Sequence, residues 1–174
     1  MLACGWLARV NAEHPEDAAS DVPLSRPAAR VVCVAPGRRV LLMRWRDPVD
    51  DVVFWEPPGG GIEAGESALD AARRELSEET GLPGSVVTQV STPVERDFRW
   101  CGRHFCGTET FFLGIVDKAE LPDRATLTDE EQAALLGYGW FTSEEIDTHA
   151  ELVEPRGLTG ILAVLEQRAT GAGL

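Results

Sequence analysis

Three glutamates, Glu75, Glu78 and Glu79, crowd one short stretch of this 174-residue chain, downstream of the glycine run Gly59-Gly60-Gly61. On a helix advancing about 100° per residue, these spacings place the three carboxylates within one arc of about 100°. Like charges on adjacent turns repel. They also stand in the C-terminal half of the helix, the unfavourable end for an acid in the helix dipole. A bound cation relieves both penalties, and clustered carboxylate oxygens suit a hard ion such as Mg2+ or Mn2+. The glycine run adds backbone that can approach a phosphate or turn a carbonyl towards a metal. The alternative for the acids alone is a solvated, solubilising helix face.

The element that must carry these acids is a helix over residues 67–80. Ser67 with Asp70 three residues on has the pattern of a capping box. Gly81 suits the left-handed residue beyond a helix end, and Pro83 follows. Leu69, Ala72 and Leu76 form the stripe expected to pack. Ala68 and Ala71 precede the acids on their own arc, where small side chains leave room above the carboxylates.

This stretch resembles the Nudix box. Gly60, Glu66, Arg74, Glu75, Leu76, Glu78, Glu79, Gly81 and Leu82 fill its fixed positions, and Trp55-Glu56-Pro57-Pro58-Gly59-Gly60 is similar to the approach to that box. The likeness is strongest over residues 55–82 and extends more loosely over about 28–142. It implies an α/β/α sandwich around a mixed β-sheet and a metal-dependent pyrophosphohydrolase. The expected substrate is a small molecule, a nucleoside diphosphate linked to another group, cut at its diphosphate. By this resemblance Glu75, Glu78 and Glu79 hold Mg2+ or Mn2+, one of them possessing the further role of base, and the carbonyl of Gly59 is an extra ligand. Arg74 is expected to hold a glutamate in place, since it lies one turn before Glu78. Glu66 reads as an outer-shell ligand or a structural residue. Two alternatives stay open: an isomerase of prenyl diphosphates on the same scaffold, and a nucleotide-sensing module without catalysis.

Outside the box, the resemblance implies a further metal-binding or catalytic acid from the segment before the final strand, and Glu131 is the choice there, from its distance to Trp140-Phe141. Its competing role is to close a capping box with Thr128. Arg96, Arg99, Arg103 and His104 cluster about a hairpin and are candidates to hold phosphates, with Phe98 or Trp100 stacking on a base. The proline associated with ADP-ribose pyrophosphatases is not found. Tyr138, the only tyrosine, lies too far along for the one associated with diadenosine polyphosphate hydrolases. Cys101, His104 and Cys106 lack a fourth ligand at zinc-motif spacing.

The length fits one domain, read as residues 27–174, behind an N-terminal arm, 1–26, expected to be mobile. Covering a partner in a homodimer is the alternative role for the arm. The net charge of −13 argues against a nucleic-acid polymer or an anionic membrane as partner. It leaves a small anionic substrate open, because a bound metal inverts the local field. No apolar run reaches the roughly 20 residues of a membrane span, and the start makes a poor signal peptide, so the reading is cytoplasmic. Strands are expected over 29–35, 40–45, 52–55, 85–90, 95–100, 104–116 and 139–141, and helices from 128, at 142 and over 158–169. Hairpins rather than repeated crossovers argue for a mixed sheet.

Overall fold

The computed structural model describes residues 22–122 and 127–173. Of the expected arm, residues 1–21 lie outside the described residues. Its last part already belongs to the fold: Leu24 donates its N–H to the carbonyl of His104 and accepts from Cys106 N–H.

The centre is β1 (Ala28–Ala35), whose residues are nearly all buried. It pairs in parallel with β6 (Arg103–Ile115), from Ala28 opposite Glu109 to Val34 opposite Ile115. Its other edge is divided. The first residues pair with β4 (Gly59–Gly61), and the last two with β2 (Arg39–Arg46). Beyond the split, β2 pairs antiparallel with β3 (Val53–Glu56) and with β7 (Leu135–Phe141). The short β8 (Leu152–Val153) runs parallel to β3, and β5 (Val87–Trp100) closes the far edge against β6. The sheet is therefore mixed, as expected.

One helix covers each face. The first, α1 (Ala68–Thr80), puts Ala71, Ala72 and Leu76 into a cluster with Ala29, Val31 and Cys33 of β1. Ala71 thus joins the core instead of leaving room above the acids. Ser67 accepts from Asp70 N–H at the start of α1, and Gly81, at φ 68°, donates to the Ser77 carbonyl at its end. Two short helices, α2 (Asp129–Ala134) and α3 (Ser143–Asp147), flank β7 and both open on complete capping boxes. The last, α4 (Leu158–Gly171), buries Leu158, Leu162 and Leu165 against Val32, Leu42 and Phe111 on the opposite face from α1. The alternation of β1, with Val31 and Cys33 towards α1 and Val32 towards α4, is what makes three layers.

Four elements differ from the sequence reading. The two strands expected at 85–90 and 95–100 are the single strand β5, which runs through Pro93. As the sheet's edge, β5 needs donors on one side only, so a residue without an N–H is tolerated. The glycine run, read as loop, is strand β4. At Gly59, φ is 148°, and a Cβ would collide with the Ala29 carbonyl and Arg30 Cα, so only glycine lets this strand lie against β1. The strand expected at 139–141 begins at Leu135, and β8 has no sequence signal beyond its two apolar residues.

Glu151 ties the β2–β3 ribbon to the approach to β8. It accepts from Arg44, through Nε at 2.8 Å and also from Nη2, and from Trp55 Nε1 at 2.7 Å. Chiefly the Arg44 hydrogen bonds, with Trp55 adding, hold this carboxyl at about 2, against an ordinary 4.5. A folded-state pKa below the unfolded one contributes stability above the unfolded value, lost as pH falls towards the folded one. Glu151→Gln is therefore expected to lower the melting temperature at pH 6. The gap to the wild type should shrink as pH drops from about 4.5 to about 2. Thermal scans across that window check it, and a gap independent of pH contradicts it.

Candidate active site

Arg74 organises the acidic face of α1. Its Nε and Nη2 hold Glu66 as a fork, at 3.0 and 2.9 Å, and Nη2 also donates to the Gly61 carbonyl. Its Nη1 donates to Glu75 at 2.8 Å and to Glu78 at 3.2 Å. One guanidinium therefore holds three acids of the box against β4. The backbone of β4 completes this arrangement from beneath. Gly60 faces the Glu75 carboxylate so closely that a Cβ would stand 2.6 Å from Oε1. Gly59 N–H donates to Glu79 Oε2 at 2.7 Å.

Glu75 and Glu79 are both buried. Burial pushes the Glu75 carboxyl up, against the opposing pull of Arg74, and the nearby Glu78 and Glu131 add to the rise. Burial, then the charge of Glu75, pushes Glu79 well above the usual carboxylate range, outweighing Gly59 N–H and Arg30. These are carboxylates whose ionised forms lack enough positive charge.

Below Glu79 lies a buried ionic floor. Arg30 is 2% exposed, and its guanidinium meets Glu109 at 2.8 Å, Glu56 at 2.9 Å and the Pro57 carbonyl at 3.2 Å. Burial alone would push Arg30 down, but Glu56 and Glu109 outweigh it. Arg96 stands behind, 3.6 Å from Glu56 and 3.9 Å from Glu109, with its guanidinium over the Phe98 ring.

The cleft above this floor has two unlike walls. Glu79, Gly59 and Glu131 form one, and Trp45, Phe54, Phe98 and Trp100 the other. Trp100 meets Trp45 and Phe54 edge to face, with centroids 6.3 and 5.6 Å apart. Phe98 stacks on Phe105. The acidic wall continues outwards past Glu75 and Glu78 to Arg26.

Of the arginines considered for substrate, Arg96 lies in the buried floor. Arg99 is exposed, and strand alternation sets it on the face of β5 opposite Phe98 and Trp100. Arg103 pairs with Trp100 at the hairpin end. Neither Arg99 nor Arg103 is among the described residues lining the cleft. His104 bonds Asp97 at 2.8 Å. Cys101 is disulfide-bonded and Cys106 is an exposed free thiol, so no zinc site forms from these three. Glu131 caps α2 and also lines the cleft. Its Oε2 accepts from Thr128 N–H at 2.7 Å as a cap, and it stands on the cleft wall. Tyr138 also reaches the box helix, donating to the Glu79 carbonyl at 2.6 Å.

Among the described residues no three His, Cys, Asp or Glu side chains converge as a preformed metal centre would. The carboxylates are instead turned to Arg74 and Gly59 N–H. The donor set nevertheless fits a hard divalent ion: oxygen donors only, two of the carboxylates buried with their charge only partly compensated.

Sequence reasoning missed Arg26, Arg30, Trp45, Phe54 and Glu56 as site residues. Arg30 carried a signal, a charge inside the apolar strand AARVVCVA. Arg26 carried none, falling within the expected arm. Its guanidinium packs on Gly61, and burial, opposed by Glu75, lowers it to about 10.

Residues 24–158 match the NUDIX domain family model. The chain belongs to the Nudix family. It is 43% identical over 75 residues to an RNA pyrophosphohydrolase of Novosphingobium aromaticivorans, covering 43% of this chain and 45% of that protein. It is 31% identical over 105 residues to the asymmetrical bis(5'-nucleosyl)-tetraphosphatase of Mus musculus, covering 60% and 67%. The match thus spans about half to two thirds of these relatives, whose names are those of phosphoanhydride hydrolases. Among solved structures, a Caenorhabditis elegans Ap4A hydrolase binary complex superposes with a TM-score of 0.60 at 17% identity, over 84% of this chain and 98% of that one. The MutT protein of Methanosarcina mazei gives 0.57 at 18% identity, over 86% and 98%. At these identities the structures speak for the fold.

Glu131→Gln separates cap from site, because a glutamine also serves in a capping box. The variant is expected to keep its stability within about 0.5 kcal/mol while turnover falls at least about tenfold. Denaturant titration and a rate per folded molecule check the two halves. Unchanged turnover would leave Glu131 a cap only.

Proposed function

We propose that this protein is a pyrophosphohydrolase dependent on Mg2+ or Mn2+, cleaving the diphosphate linkage of a nucleoside diphosphate joined to another group. The observation that carries this is the meeting of an acidic and an aromatic wall in one cleft. A diphosphate and a nucleobase are the two unlike parts such walls suit. The metal, when bound, neutralises phosphate charge and provides activated water at neutral pH.

The chain's own residues have distinct tasks in this reading. Glu75, Glu78 and Glu79 are the ligands, with the Gly59 carbonyl in reserve. Arg74 orients Glu75 and Glu78, and Gly59 N–H orients Glu79. Glu131, on the same wall, is the further acid. Phe98 and Trp100 face the base. The isomerase alternative is disfavoured, since neither free cysteine of the described residues lines this cleft: Cys33 is core and Cys106 is exposed. A sensing module has no need of the full set of box acids kept here.

The names of the relatives suggest the substrates to try: bis(5'-nucleosyl) tetraphosphates, 8-oxo-dGTP and RNA. The net charge of −13 favours the small molecules over the polymer. We expect phosphate release from at least one nucleotide of such a panel, extended to nucleotide sugars, only with Mg2+ or Mn2+. Glu79→Gln should cut it by about a hundredfold or more, as for loss of a major electrostatic stabiliser. A folded Glu79→Gln variant with wild-type rate and metal affinity would sink the assignment.

A further inference from the structure

We infer that Asp47 is a positioning residue for the aromatic wall, locking the β2–β3 loop to the tip of the β5–β6 hairpin and so fixing where Trp100 stands. This rests on the proposed function in taking that wall as the seat of the nucleobase.

Asp47 is a carboxylate only 3% exposed, and it is surrounded by donors. Its Oδ1 accepts from Val49 N–H at 2.7 Å and Asp50 N–H at 3.2 Å, closing its own loop as an Asx-turn does. Its backbone N–H donates to the Val52 carbonyl, and its carbonyl accepts from Asp51 N–H. That leaves Oδ2, which reaches 54 residues along the chain to Cys101 N–H at 2.7 Å.

Cys101 and Gly102 form the two-residue turn of the hairpin, with φ of 52° and 72°. Both are left-handed, as such a turn requires, although Cys101 bears a side chain. Trp100 is the next residue back. The rings it meets belong to the two strands that the Asp47 loop joins: Trp45 on β2 and Phe54 on β3. One carboxylate therefore connects the three strand ends that present the three rings. Asp47 itself is not among the described residues lining the cleft, so its influence passes through Trp100.

Asp47→Asn isolates the cross-link. An amide has one acceptor oxygen, and the loop, with two donors, claims it. The NH2 is left facing Cys101 N–H, donor against donor. The experiment measures binding of ADP, GDP, CDP, UDP and inorganic diphosphate by calorimetry with Mg2+ present, in wild type and variant. For the nucleotide that the wild type binds best, Asp47→Asn should weaken binding by about tenfold, the scale of one lost base–aromatic stack. Diphosphate affinity should stay unchanged.

Equal weakening of both ligands would overturn the inference, since it signals general loosening. Unchanged binding of both would overturn it too, because the tip is then held without Asp47. A wild type that binds no nucleotide better than diphosphate overturns the base-binding wall, and the inference with it. That failure shows in the wild type, before any variant is made. Should Asp47→Asn not fold, Asp47→Ser replaces it: its hydroxyl still closes the loop but is too short for Cys101. Loss of folding in both makes Asp47 a general support and overturns the positioning role.

Discussion

Arg30 is a charge that the interior must carry. Taking a guanidinium out of water costs several kcal/mol, and only close partners offset it. Here Glu109 and Glu56 do so, one from β6 and one from β3, with the Pro57 carbonyl as a third contact. Removing one member of such a group costs about 3–5 kcal/mol because the others are left buried and unpaired. Because Glu56 and Pro57 lead directly into β4, Arg30 also fixes where Gly59 lies. Gly59 N–H in turn holds Glu79. The position of the Glu79 carboxylate is thus set by a residue of a different strand, through backbone.

The same region is sorted by charge. On the α1 side, Glu75 and Glu79 are raised by burial and by mutual repulsion, with Arg74 only partly compensating. Behind the floor, Arg96 is lowered by burial and by Arg30. Negative excess faces the cleft and positive excess faces away from it.

How much of this could be read in the sequence depended on range. The box helix was legible in detail, because capping, periodicity and stop signals are all local: Ser67, Leu76 and Gly81 do what their spacing implies. Arg74 was recognised as a holder of glutamates, but its fork on Glu66 depends on how β4 folds back. The glycine run was misread as loop, since its need for glycine comes from β1, some 30 residues away in the chain and touching it in space. The aromatic wall was half legible: Phe98 and Trp100 sit on a recognisable hairpin, whereas Trp45 and Phe54 meet Trp100 only through the folded sheet. Arg99 was drawn towards the site by composition, and the period-2 alternation of a strand turns it away. The cap at Glu131 and its place beside the cleft were legible, because a cap pattern and a distance to the final strand were each written in the chain.

The parallel pairing of β1 with β6 has a consequence for how the molecule assembles. Arg30 and Glu109 are 79 residues apart in sequence. Closing so long a loop costs entropy before any contact is gained, and such pairings form slowly compared with a hairpin or a helix. The hairpin β5–β6 and the helix α1 are local and can form early, yet neither contains the floor on which the acids rest. The charged floor comes together only when the two central strands dock. Until then the acids of α1 belong to an ordinary charged helix, and the buried acidic face is assembled by a long-range step of folding rather than a local one.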